Sequence, residues 1–451
     1  MKKLHYDAVI IGFGKGGKTL AGKLAAAGKR VALVEQDPNM YGGTCINVGC
    51  IPSKSLITSA AKADPAAPLS QRAERYRAAV EEKRRVTAML RRKNYDKLAG
   101  AVTVYDGRAR FTAPLEVEVA AADGTCSLTA DQVFINTGST PRIPPIEGID
   151  ATPGVYTSAG LMDLDVFPRR LAIIGGGYIG LEFASMYASF GSEVTVLTDV
   201  LLPREDDDVA AERRSLLEAQ GVVFRLGAAT RKVEQGEDGP VLTFTADGTE
   251  ERLEADAVLV ATGRVPNTAG LGCEAAGIEL DGRGAVKVDA LLRATAPNVW
   301  AMGDVAGGLQ HTYVSLDDSR VVWSQLSGGE PRTTADRKNV PYSVFLATPY
   351  SRVGLNEREA RAAGFNVKIA KLPTAAVPKA QVLRATAGFL KAVVDADTGR
   401  ILGAMLLCPE SYEMVNVVKL AIDLGADYTV LRDQIFTHPT MTEAFNDLFA
   451  L

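Results

Sequence analysis

An apolar run from Tyr6 to Ile11 ends in Gly12-Phe13-Gly14-Lys15-Gly16-Gly17, followed by a helical stretch to Ala27 and a second apolar run from Arg30 to Val34. The first run alternates little, as a strand does when both of its faces are covered. Its glycines stand where a phosphate-binding turn needs them: Gly12 for the tight turn, Gly14 for close backbone approach to a pyrophosphate, Gly17 for packing helix on strand. Glu35, next along the chain, is spaced to bond a ribose hydroxyl. The same unit recurs. Leu171 to Ile174 lead into Gly175-Gly176-Gly177-Tyr178-Ile179-Gly180, a helix through Ser189 and a strand from Glu193 to Leu197. There Gly175, Gly177 and Gly180 fill the three roles. A chain with this unit twice is expected to build two parallel α/β sheets. Two complete sites imply two dinucleotides, most simply a flavin and a nicotinamide with hydride passing between them.

At 451 residues the chain exceeds what one hydrophobic core supports, and about three domains are expected. The reading places a first dinucleotide unit at 1–150, the second at 151–268, a return to the first at 269–338 and an assembly domain at 339–451. The net charge of −4 argues against a nucleic-acid or anionic-membrane surface. No apolar run approaches the ~20 residues that span a bilayer. The chain starts Met1-Lys2-Lys3-Leu4 and moves straight into a strand, without a signal-peptide pattern. Five cysteines with a single close pair suit a cytoplasmic protein. The charged stretch from Gln71 to Leu98 mixes Glu with Arg and Lys and reads as a solvated helix.

The close pair lies in Gly42-Gly43-Thr44-Cys45-Ile46-Asn47-Val48-Gly49-Cys50-Ile51-Pro52-Ser53-Lys54. Five positions apart, Cys45 and Cys50 can close a small disulfide ring. At a helix start they feel its positive end, which favours the thiolate. Thiol chemistry needs a proton partner, and histidine titrates in the right range. Of three histidines only His438, in His438-Pro439-Thr440-Met441-Thr442-Glu443, is followed at this spacing by a carboxylate that can orient its ring. Cys126, Cys273 and Cys408 read as bystanders, and His311 as a packing or solvent residue. Three further strand-into-turn segments stand out: Ile135-Asn136-Thr137-Gly138, Ala261-Thr262-Gly263-Arg264 and Met302-Gly303-Asp304.

Along essentially its whole length the chain resembles the FAD-dependent pyridine nucleotide–disulfide oxidoreductases, which include lipoamide dehydrogenase, glutathione reductase and mercuric reductase. The resemblance implies an α/β fold of two Rossmann-like domains, for FAD and for NAD(P)H, plus a C-terminal α+β dimerisation domain. It implies that FAD is held by Gly12, Gly14, Gly17, Glu35, Gly43, Thr44, Ala109, Gly138, Gly303 and Asp304, the last on the ribityl chain. NADH or NADPH would fall to Gly175, Gly177, Gly180 and Thr198, with Gly263 and Arg264 also among the cofactor-binding residues. Cys45 and Cys50 would be the redox pair, with Cys50 facing the flavin and Cys45 meeting the acceptor. Lys54 would pair with Glu182 beside the flavin ring, and His438 with Glu443 would reach into the partner subunit of a homodimer.

Within the family the chain is most similar to the bacterial reactive-chlorine-resistance flavoproteins, a copper(II)-reducing branch. Lys15 with Lys18-Thr19-Leu20, the segment Arg337 to Phe345, and Leu431 to Phe436 carry that likeness. Lipoamide dehydrogenases usually have Pro-Glu-hydrophobic-Ala where this chain has Pro349-Tyr350-Ser351-Arg352. Mercuric reductases have a terminal cysteine pair, whereas the last cysteine here is Cys408. The expected acceptor is therefore copper(II), held transiently at Cys45 and Cys50. The alternatives are a dihydrolipoyl substrate, another soft metal, or an NADH-sensing regulatory role. Thr198 followed by Asp199, with no arginine cluster to take a 2′-phosphate, leans toward NADH while permitting both nicotinamides.

Overall fold

In the computed structural model, which describes residues 2–451, the strand Lys2–Ile11 lies between Val31–Glu35 and Gly124–Ile135, parallel to both. Ile10, Leu33 and Phe134 are wholly buried there, so the unalternating apolar runs are strands covered on both faces. Thr103–Ala113 extends the sheet past Val31–Glu35, and Val299–Ala301 returns from far along the chain to extend it past Gly124–Ile135. Thr103–Ala113 runs on past its parallel partner, and Glu116–Ala121 joins it to the first half of Gly124–Ile135 in an antiparallel meander.

The second unit is an all-parallel sheet in the order Val223–Leu226, Glu193–Thr198, Arg170–Ile174, Ala257–Val260, Val155–Tyr156. Its helix, Tyr178–Phe190, is buried along most of its length, which explains why its sequence is apolar nearly all round. A three-stranded antiparallel sheet, Ala229–Gln235, Pro240–Ala246 and Thr249–Glu254, is appended to it. Ser139–Pro141 pairs antiparallel with Arg264–Pro266 where the chain passes into this unit and out again.

The C-terminal part is a five-stranded antiparallel sheet, ordered Tyr342–Val344, Tyr350–Gly354, Ile401–Leu407, Phe389–Asp395, Val367–Pro373. The sequence suggests strands first and helices after, but Glu357–Ala362 and Pro378–Leu383 interleave. Asn356 and Glu359 cap the first reciprocally, and Pro378 opens the second, where its missing N–H is harmless. The charged stretch is one helix, Leu69–Asp96, shifted two residues from its reading. Among the described residues no helix is long and apolar enough to cross a membrane.

A buried charge cluster fastens this sheet to the second unit. Glu205, 1% exposed, accepts hydrogen bonds from Tyr178 (2.7 Å), Tyr350 (2.5 Å) and Tyr342. Arg352 lies 3.5 Å from its carboxylate. Arg213, wholly buried, stands 4.6 Å from the Tyr350 ring in the field of the same acid. Removing one member of a buried ionic group strands the others. Glu205→Ala is therefore expected to destabilise the protein by about 3–5 kcal/mol in urea unfolding, and a loss below about 1 kcal/mol, the range of exposed pairs, would show that the cluster is solvated.

Candidate active site

The first glycine turn is shaped by what stands behind it. Gly12 has φ +103°, and a Cβ there would lie 2.3 Å from the Asn136 carbonyl. Asn136, at the end of Gly124–Ile135, accepts from the Gly17 N–H (2.8 Å) and donates to the Met302 carbonyl (2.6 Å). The Gly16 N–H donates to Ser315 at 3.1 Å. Gly14 caps the helix Lys15–Ala26 without a side-chain bond. Gly43, at φ +80°, comes so close that a Cβ would stand 2.8 Å from the Gly14 Cα. The glycine turn and the start of the cysteine segment, with Thr44 next in line, therefore touch backbone to backbone. The Glu35 carboxylate accepts from the Phe13 N–H at 3.0 Å, and burial pushes its pKa up. Ala109 lies in the meander opposite Val119, three positions past Asp106, the partner of Glu35.

The second turn repeats the design: a Cβ on Gly175 would meet the Ala261 carbonyl at 2.5 Å, and one on Gly180 the Gly175 carbonyl at 2.1 Å. Gly177 caps Tyr178–Phe190, again without a side-chain bond. Thr198 closes the next strand and donates to the Val200 carbonyl at 3.0 Å. Both helices begin at a bare glycine with no acid in the first turn, and such a start offers backbone N–H groups and a positive dipole end to an anion. Nothing lies within 4 Å of a Cβ position on Gly177. These residues fit the pyrophosphates of two dinucleotides.

Between the turns the segments converge. Ser139 donates to Asp304 (2.6 Å) and accepts from the Arg264 Nε (2.8 Å). Burial lowers the Arg264 pKa, against the pull of Asp304 and Cys50. Gly138 and Gly263 present their carbonyls to Asn267 and Arg142, each at 2.9 Å. The Gly303 N–H donates to Asp318 at 2.7 Å.

The two cysteines stand in successive helices, which differs from a single helix start. Cys45 is in the short Thr44–Asn47, and Cys50 opens Cys50–Ala60. A continuous helix would need an N–H from Pro52, which has none to give to Val48. The two thiols hydrogen-bond each other, and Cys50 Sγ lies 4.0 Å from Thr312 Oγ1. That bond from Cys50, then Thr312, Lys18 and Lys54, holds Cys45 down at about 6 against its burial. The same bond pushes the Cys50 thiol up. The pair thus keeps one proton and one thiolate at neutral pH.

Lys54, one turn after Cys50, meets both Glu182 oxygens at 2.9 and 2.7 Å. Glu182 sits on the buried helix of the second unit, and its Oε1 also accepts from the Phe345 N–H at 2.9 Å. His438 Nδ1 lies 2.8 Å from Glu443 Oε2, with the histidine side chain 70% exposed. Among the described residues no hydrogen bond or ion pair of the same chain joins His438 to the cysteines. His311 stacks on Tyr313 at 5.0 Å, and burial lowers its pKa. Among the described residues no group of three or more His, Cys, Asp or Glu could hold a metal. Sequence reasoning passed over Asn136, Ser139 and Thr312; the only signal for Asn136 was its place at the end of a strand entering a glycine turn.

Two dinucleotide folds joined at a thiol pair and a lysine–glutamate ion pair define an oxidoreductase that handles electrons through sulfur. The chain belongs to the pyridine nucleotide-disulphide oxidoreductase family, whose model matches residues 6–319, with the family's dimerisation domain matching 340–449. It is 49% identical over 450 residues to the probable pyridine nucleotide-disulfide oxidoreductase RclA of Escherichia coli (strain K12), covering 99% of each chain. The structure of a Cu(II) complex of the HOCl-induced flavoprotein disulfide reductase RclA from Escherichia coli matches with TM-score 0.92 at 48% identity, over 100% of this chain and 99% of that one. A dihydrolipoyl dehydrogenase of Thermus scotoductus is 34% identical over 456 residues, covering 97% of this chain and 95% of its own. This order of likeness agrees with the branch read from the sequence. Family membership implies FAD and NAD(P)H.

Thiolate reactivity tests the geometry of the pair. With the cysteines as thiols, Cys45 alkylation by iodoacetamide is expected to rise with pH around a midpoint of about 6. Cys50→Ala removes the leading hydrogen bond to that thiolate, so the midpoint should move upward. A midpoint unmoved by Cys50→Ala would place the cause elsewhere.

Proposed function

We propose that this protein is an FAD-dependent NAD(P)H oxidoreductase that passes electrons through Cys45 and Cys50 to copper(II), in defence against reactive chlorine. The observation that carries it is the paired thiol site with its low-pKa Cys45, taken with the full-length likeness to a flavoprotein known as a Cu(II) complex. Gly12, Gly14, Gly17, Glu35, Gly43, Thr44, Ala109, Gly138, Gly303 and Asp304 would hold FAD. Gly175, Gly177, Gly180, Thr198, Gly263 and Arg264 would hold the nicotinamide. Bound FAD would supply the transfer of an electron pair from the nicotinamide to the disulfide. Lys54, fixed by Glu182, places a positive charge on the cofactor side of the pair. Cys45 is the thiolate that meets the acceptor, and Cys50, hydrogen-bonded to it, the sulfur that closes the ring. Two Cu(II) ions each take one electron, the S–S bond forms, and any proton still on the pair is released. Thiolates suit Cu(I), the product. His438, oriented by Glu443, serves as proton carrier for the thiols of the partner subunit, which makes the homodimer the working unit.

Steady-state oxidation of NADH and NADPH against Cu(II), Hg(II), lipoamide and glutathione disulfide tests this reading. Cu(II) should accelerate oxidation, with a mild preference for NADH from Asp199, and Cys45→Ser should abolish the acceleration while FAD stays bound. Lipoamide turnover exceeding copper turnover by orders of magnitude would make the protein a dihydrolipoyl dehydrogenase instead.

Shared active sites make a second prediction. His438→Ala and Cys45→Ser homodimers should each be inactive, and exchanging their subunits should restore part of the activity. No recovery in proven hybrids would mean that each subunit works alone.

A further inference from the structure

Cys45, and not Cys50, lines a cavity of about 400 Å³ between the helices Lys15–Ala26, Thr44–Asn47 and Leu69–Asp96. Four lysines line it, Lys15, Lys18, Lys93 and Lys97, and no Asp or Glu does. None of the four is in an ion pair among the described residues. Lys18 gives its protons to neutral oxygens, the Gly42 carbonyl at 3.4 Å and the Asn94 side chain. Burial, then repulsion from Lys15 and Lys97, lowers its pKa to about 8, against the pull of Cys45. The cavity is lined by none of the residues read as holding FAD, though Lys15, Gly42 and Cys45 adjoin them in the chain. Its volume falls in the range of small-molecule pockets, ~300–1,000 Å³, and far exceeds what a bare ion fills. Uncompensated cations around one cavity repel a free metal cation and attract an anion.

We propose that this cavity docks the electron acceptor and selects small acceptors of net negative charge that carry carboxylates, so that copper is reduced as an anionic carboxylate chelate rather than as the free cation. The proposal rests on the reading of Cys45 as the acceptor-facing thiol. Each chelated Cu(II) takes one electron from the dithiolate and leaves as Cu(I); two such transfers close the Cys45–Cys50 bond. A disulfide acceptor would obey the same charge rule. Cys45 would attack it, one thiolate would leave, and Cys50 would displace the second while closing the ring.

Two matched pairs of acceptors test the charge rule on the FAD-loaded enzyme at low ionic strength. The metal pair is Cu(II) with nitrilotriacetate, an anion, and Cu(II) with ethylenediamine, a cation. The disulfide pair is dithiobis-nitrobenzoate, a dianion, and cystamine, a dication. Each is compared in the parent and in the double variant Lys93→Glu/Lys97→Glu, both positions being exposed; bound flavin content checks folding. The variant should raise KM for the anionic members on the order of tenfold and lower it for the cationic ones, and added salt should shrink the parent's preference. KM changes of the same sign for both members of a pair, or none, would overturn the proposal. Charge-dependent shifts with the disulfides and no turnover of either copper chelate would sink the copper reading and leave this one standing. Copper turnover indifferent to chelate charge and to the variant would do the reverse.

Discussion

The carboxamide of Asn136 is the fixture on which the rest of the site depends. Its oxygen takes the Gly17 N–H and its nitrogen serves the Met302 carbonyl. One side chain therefore sets the height of the first glycine turn against the turn that carries Asp304. Because Gly43 presses on Gly14 without a side chain between them, the cysteine segment inherits that position. An unmade buried hydrogen bond costs more than a made one gains, so such a node tolerates little adjustment. Precision at sulfur begins with an amide two segments away.

Electrostatics then differentiates two otherwise equivalent thiols. Cys50 gives its proton to the bond with Cys45, and the charges of Lys18 and Lys54 further favour the Cys45 thiolate. Lys54 is itself held by Glu182, whose oxygen also anchors the backbone of Phe345. The charge beside the reactive sulfur is thus set by the first unit, the second unit and the C-terminal sheet together. The Glu205 cluster, with tyrosines drawn from the second unit and the C-terminal sheet, keeps those two pieces in fixed relation.

Much of this was legible in the chain because phosphate turns have strict local rules. Gly12, Gly14, Gly17, Gly175 and Gly180 announce close backbone approach, and unalternating apolar runs announce covered strands. The α/β class and the C-terminal assembly fold followed from that pattern and from the resemblance. Asn136, Ser139 and Thr312 were not legible in the same way. Their partners are more than a hundred residues distant (Gly17, Asp304 and Cys50), and no local periodicity encodes a contact made only when two sheets assemble. The break between Cys45 and Cys50 was readable in principle, since Pro52 forbids one continuous helix. Helix interleaving in the C-terminal part lay in the Asn356–Glu359 cap and in Pro378, signals shorter than the strand pattern around them.

The short ribbon of Ser139–Pro141 against Arg264–Pro266 brings the chain's departure from the first sheet and its return into adjacent positions. In topological terms the second parallel sheet is a loop excursion whose two ends are already clasped. A module inserted in this way can be exchanged for another of the same span without rethreading the host, because the host strands on either side are not asked to move. Its independence is limited by what crosses the boundary: Lys54 to Glu182, Tyr76 to Tyr187, and Glu205 to Tyr342 and Tyr350. A replacement module would therefore have to bring its own acid for the host's lysine, a partner for Tyr76 and a carboxylate for the tyrosines of the C-terminal sheet.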